Sequence, residues 1–191
     1  MMPPLITFIG WHSCGKTTLA AQVVRLLKER GWRVAVVKST KDSGLFPDQA
    51  GTDTAIHRQA GADAVALAAP DRLCITVDNQ AKDLAAIARR FFADMDIVIG
   101  EGFKEAENVP KIEVFRGRGP RLRGQVPDVI AVASDCELPE EDCFGLHEHS
   151  RLADFIEERL LRKKQGQQAA DSAPAVRKAK KLAGGQGFEP R

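Results

Sequence analysis

The chain has 191 residues, enough for one domain with a real hydrophobic core and a tail. Its 43% hydrophobic and 28% charged residues are ordinary for a globular protein, and no run of about 18 apolar residues exists to span a membrane. The net charge of +2 is uneven: from Arg162 onward eight basic residues stand against two acidic ones, which leaves residues 1–161 at −4. A mildly acidic folded part gives no support to nucleic-acid binding.

Met1-Met2-Pro3-Pro4 carries no basic region, and the apolar stretch Leu5–Ile9 is too short for a signal peptide; a cytoplasmic protein is expected. Cys14, Cys74, Cys136 and Cys143 show no C-x-x-C spacing, so reduced thiols are expected rather than a zinc site or redox pair.

Leu5–Ile9 reads as a buried strand ending at Gly10. From Thr17 the pattern turns helical, with Leu19, Val23, Leu26 and Leu27 on one side and Gly31 as a stop. Arg33–Val37 is a second strand. Asp42–Gly51 is a loop, and Thr52–Ala60 a short helix. Ala62–Ala68 and Leu73–Val77 read as short strands, Asp83–Phe92 as a helix, and Ile97–Gly100 as a buried strand. Lys111–Phe115 alternates as a strand, Arg116–Gly124 is a Gly- and Arg-rich surface loop, and Val129–Ala133 is another apolar strand. Ser150 is placed to cap a last helix over Arg151–Leu161. Apolar strands alternating with helices predict an α/β fold with a mostly parallel sheet and helices on both faces. The composition after Lys164 loses all periodicity, so the expected organisation is a domain over 1–164 and a disordered basic tail over 165–191.

Residues 10–17 read Gly10-Trp11-His12-Ser13-Cys14-Gly15-Lys16-Thr17 and match G-x-x-x-x-G-K-[ST] at every fixed position. Chance would give such a match in about one chain of this length in a hundred, and the strand before and helix after make it rarer. Glycines let backbone amides turn inward on phosphate oxygens. Lys16 sets a charge against the β- and γ-phosphates, Thr17 can ligate Mg²⁺, and the helix start adds its positive end, reaching Thr18. Trp11 and His12 fill variable positions, where they touch the ligand or pack beside the loop. Cys14 is either a small residue accepted by a tight turn or a thiol activated by amide dipoles.

A second element is the apolar strand Ile97–Gly100 followed by Glu101-Gly102. Phosphate-loop enzymes place a carboxylate at a neighbouring strand end near Mg²⁺, and Glu101 suits that place better than Asp96; the plain alternative is a solvent-facing strand-end Glu. Asp48 and Asp53 are candidates to hold Mg²⁺ or orient water, or else are turn and cap residues. His147 and His149 lack a metal-site framework.

Several segments in order carry a family resemblance: Lys16-Thr17-Thr18, Asp48 to Ala62 with Arg58-Gln59-Ala60-Gly61-Ala62, Arg72, Glu101-Gly102-Phe103-Lys104, Lys111–Arg116, Val129–Asp135 and Leu152-Ala153-Asp154-Phe155. Over about residues 5–161 the chain resembles the molybdopterin-guanine dinucleotide biosynthesis protein B (MobB) family. The resemblance implies a P-loop NTPase fold, a dimer, and GTP bound with Mg²⁺ and hydrolysed weakly. It also implies a role beside the partner guanylyltransferase that joins GMP to molybdopterin, with molybdopterin itself a further candidate ligand. The family's K-H-x-H-H stretch is here Lys38-Ser39-Thr40-Lys41-Asp42, and its P-G-K-D-S is Ala50-Gly51-Thr52-Asp53-Thr54.

The resulting site expectation is Lys16, Asp48 and Glu101 for chemistry. Gly10 to Thr18 would bind nucleotide, with Asp135 selecting guanine through its N1 and N2, and Thr17, Asp53 and Glu101 would attend the metal. Lys104, Lys111, Arg116, Arg118, Arg121 and Arg123 either meet an anionic ligand or partner or are solvated. A small-molecule kinase and a GTP-dependent switch use the same loop and remain open on sequence alone.

Overall fold

The computed structural model describes residues 2–44, 49–80, 83–139 and 141–162. Asp48 and the expected tail 165–191 lie outside them. The strands are β1 (Leu5–Ile9), β2 (Val34–Lys38), β3 (Ala64–Ala68), β4 (Leu73–Val77), β5 (Ile97–Glu101), β6 (Lys111–Phe115), β7 (Val129–Ser134) and β8 (Cys143–Gly145). The helices are α1 (Lys16–Glu29), α2 (Asp53–Gln59), α3 (Leu84–Phe91) and α4 (His149–Ile156), the last continued by a π-helical turn over Glu157–Leu161.

Six strands form one sheet in the order β2-β5-β1-β6-β7-β8, and every pairing in it is parallel. All their carboxyl ends therefore lie along one edge, where α/β sheets hold ligands. Alternation along the strands sorts the core. Ile6, Phe8, Ile97, Ile99, Ile112, Val114, Ala131 and Ala133 face α1 and α4, meeting Leu19, Val23, Leu27, Leu152 and Ile156. Leu5, Ala35 and Val98 face the other way, against Leu84 and Ala88 of α3 and Ala106 and Val109 of the β5–β6 loop. Burying a Phe or Ile of this kind is worth about 1.5–3 kcal/mol each, so both layers are held mainly by apolar contact.

Three local readings change. β3 and β4 do not join the main sheet; they pair with each other as an antiparallel hairpin. The last helix begins at His149, not after a Ser150 cap; the Glu148 carboxylate before it instead accepts from the Gly145 amide at 2.7 Å and pairs with Arg151. β8 was missed because Cys143–Gly145 is only three residues long, too short to show a period. α2 and α3 start with ordinary caps, the Thr52 and Asp83 side chains accepting from the Ala55 and Ala86 amides.

Candidate functional site

The loop between β1 and α1 needs its glycines. Gly10 takes φ +153°, and a Cβ there would lie 2.5 Å from the Val114 carbonyl oxygen and 2.6 Å from Cys14 Sγ. Gly15, at φ +95°, is the left-handed residue from which α1 starts, and no side chain caps the helix or places an acid in its first turn. That leaves the first amides of α1 without a side-chain cap, an arrangement that suits an anion. Inside the loop the Lys16 ammonium donates to the carbonyls of Trp11 at 2.7 Å and Gly10 at 3.2 Å. Cys14 is buried under the loop with the core of α1, which supports its packing role.

Glu101 ends β5 beside the loop. It is 8% exposed, far from a solvent-facing strand end. Thr17 Oγ1 donates to its Oε1 at 2.6 Å, and Lys38 Nζ lies 3.5 Å from the same oxygen. Register explains the second contact: β2 pairs β5 with Lys38 opposite Glu101. The structure thus gathers Lys16, Thr17 and Glu101 and adds Lys38, whose part the sequence could not give because it does not reveal that β2 neighbours β5. Asp53 opens α2, exposed, with no hydrogen bond to Thr17 or Glu101.

On the other side of β1 the ends of β6 and β7 carry Arg116 and Asp135. Arg116 Nε donates to the Cys14 carbonyl at 3.0 Å, and its NH1 lies 3.6 Å from Asp135 Oδ2. Trp11 packs beside the loop: its indole N–H donates to the Pro120 carbonyl at 2.7 Å, and Lys104 Nζ sits 5.7 Å from its ring centre. His12, Ser13 and Thr18 are exposed, with Ser13 at φ +57°.

Two members of the basic set are corrected. Lys111 cannot meet a ligand: it is fully buried, its ammonium donating to the carbonyls of Ala106 at 2.6 Å and Val109 at 3.0 Å, with Asp128 at 3.8 Å. Burial pulls its pKa below the usual lysine range despite Asp128. Arg121 is not simply solvated; its Nε donates at 3.1 Å to Glu113, a carboxylate 1% exposed that also accepts the amides of Leu122 and Arg123. Glu113 so fixes the Arg-rich loop beside the phosphate loop. In a sheet covered on both faces Lys111 and Glu113 turn inward, each with its own partners.

A cleft of about 1030 Å³ opens at the ends of β2 and β5, lined in part by Lys38, Ser39, Lys41, Gly102, Phe103 and Lys104. Its walls carry both signs of charge. No helix among the described residues is long and apolar enough to cross a membrane.

Comparison with known proteins gives the architecture its context. The chain is 36% identical over 165 residues to the molybdopterin-guanine dinucleotide biosynthesis adapter protein of Escherichia coli (strain K12), a match covering 82% of this chain and 93% of that protein. A crystal structure of a molybdopterin-guanine biosynthesis protein B superposes with TM-score 0.64 at 30% identity, covering 82% of this chain and 99% of the other. The Bacillus subtilis MobB structure shares the fold with TM-score 0.65 at 22% identity, over 82% of this chain and 98% of that one. The fold is that of a P-loop NTPase. The model of the family described as molybdopterin guanine dinucleotide synthesis protein B matches residues 5–135, and this chain belongs to that family.

Proposed function

We propose that the chain binds Mg²⁺-GTP on the loop Gly10–Thr17. We propose further that it acts as a cytoplasmic adapter assisting a guanylyltransferase that attaches GMP to molybdopterin. Residues 1–164 form the working domain in this reading. Membership in the family supports the pathway. The observation that carries the site is the Thr17 hydroxyl bound to the buried Glu101 carboxylate, beside an uncapped helix start.

A hydroxyl and a carboxylate are hard oxygen donors of the kind Mg²⁺ takes, so Thr17 and Glu101 fit that ion, with Asp53 a further proposed ligand. Bound there, Mg²⁺ would neutralise charge on the phosphate oxygens. The chain's own contribution is positioning: loop amides hold the phosphates and Lys16 faces their terminal end. Glu101 already accepts from Thr17 and lies beside Lys38 on the same oxygen, which leaves that oxygen engaged rather than placed to take a proton from water. Hydrolysis is therefore expected to be slow, with Asp48 proposed to assist it. Asp135, at the strand end across β1, is the proposed acceptor for guanine.

A homodimer suits the hairpin. Leu67, Leu73 and Ile75 are 56%, 60% and 55% exposed, and apolar side chains occupy both hairpin faces. Two strands alone are marginally stable, and a partner copy would cover them.

The test uses purified protein with Mg²⁺-GTP, Mg²⁺-ATP and the partner transferase with molybdopterin. GTP should bind more tightly than ATP, phosphate release should be slow, and added protein should speed guanine dinucleotide formation. Lys16→Ala should weaken GTP binding about 100-fold, near 2.7 kcal/mol, and remove the stimulation. Stimulation that survives Lys16→Ala, or fast phosphorylation of a small acceptor, refutes the reading.

A further inference from the structure

The phosphate loop follows β1 and the proposed base end follows β7, two strands away, and Arg116 contacts both. Arg116 follows β6, where parallel register sets Phe115 beside Ser134 and so Arg116 beside Asp135. Its Nε donates to the Cys14 carbonyl at 3.0 Å, while NH1 is 3.6 Å from Asp135 Oδ2. A Cβ on Gly15 would come within 3.2 Å of the same guanidinium, so Arg116 lies hard against the peptide that opens α1.

That peptide matters because its two ends point oppositely. When the carbonyl of Cys14 is taken by Arg116, the amide of Gly15, on the same trans peptide, points the other way, the direction in which this reading puts the phosphates. A lysine could supply the charge but not two donors in a fixed plane. We propose that Arg116 is a positioning residue for nucleotide selection. It locks the Cys14–Gly15 peptide and holds the Asp135 carboxylate at a set distance from it, so that only a base with donors at that distance is rewarded. This rests on Asp135 reading guanine. The exposed pair is weak by itself, but its role is geometric, and a base lying over it would exclude water from it.

The experiment measures dissociation constants of Mg²⁺-GTP and Mg²⁺-ATP by competition against a fluorescent GTP analogue, using the full chain. The variants are Arg116→Gln, Arg116→Lys, Asp135→Asn and the double Arg116→Gln/Asp135→Asn, each with its unfolding midpoint recorded. Arg116→Gln should lower the GTP-over-ATP preference at least fivefold. Relative to Arg116→Gln, Arg116→Lys should tighten GTP and ATP by the same factor, which leaves the lowered preference in place. In the Asp135→Asn background, Arg116→Gln should change the preference no further, because both act on one contact. Equal weakening of both nucleotides by Arg116→Gln, full recovery of preference by Lys, or additive effects would overturn the inference. If Asp135→Asn collapses the preference and Arg116→Gln leaves it, only the role of Arg116 fails. If the unaltered chain has no preference for GTP, the Asp135 reading fails first and takes this one with it.

Discussion

Two regions of this molecule are equally apolar and meet opposite fates. β1, Leu-Ile-Thr-Phe-Ile, is buried at every residue; β4, Leu-Cys-Ile-Thr-Val, has its first three residues exposed. The first is central in a sheet walled by α1 and α4 on one side and α3 on the other. The second, among the described residues, pairs as a strand with β3 alone. Apolar sequence therefore says that a strand is to be covered, and the topology says by whom. For β1 the cover lies within the chain; for the hairpin we propose a second copy.

The largest effect expected from breaking this contrast is in the core. Phe8→Ala should lower unfolding free energy by about 3–5 kcal/mol in urea titration, whereas Leu73→Ala, measured at low protein concentration, should stay within about 0.5 kcal/mol. Similar losses would erase the distinction. Next, Leu73→Lys with Ile75→Lys should convert the proposed dimer to monomer in sedimentation at micromolar concentration while leaving GTP affinity near its original value. An unchanged sedimentation coefficient would remove the hairpin from the interface. The smallest effect concerns the buried lysine. The folded chain holds the Lys111 proton less tightly than the unfolded chain, so its contribution makes stability rise with pH as the ordinary lysine range is approached. Lys111→Met should flatten that rise over the pH range just below the ordinary lysine pKa of about 10.4 in urea midpoints; an identical slope would place its burial penalty elsewhere.

The phosphate loop was legible because its chemistry is local: eight consecutive residues carry the glycines, the lysine and the hydroxyl. β5 was legible up to its final residue, and Glu101 could be named from the strand before it. What the sequence left dark was pairing. Lys38 meets Glu101, and Arg116 meets Cys14 and Asp135, only because β2 lies beside β5 and β6 beside both β1 and β7. The burial of Lys111 and Glu113 was hidden in a related way. Alternation alone assumes one wet face, and this sheet has none at β6. The hairpin was read as two strands correctly, but nothing in their pattern distinguished an independent pair from members of the main sheet.

The parallel arrangement also sets an order of events during synthesis. The phosphate loop is made before its partners, which come much later in the chain. Thr17 waits 84 residues for Glu101, Cys14 waits 102 for Arg116, and Trp11 waits 109 for Pro120. Contacts so distant in sequence form slowly, since the intervening chain must be closed before any of them is gained. A nascent chain on the ribosome therefore carries the full loop motif for about a hundred residues of synthesis without the walls that complete it, so the site as a whole is a property of the folded domain.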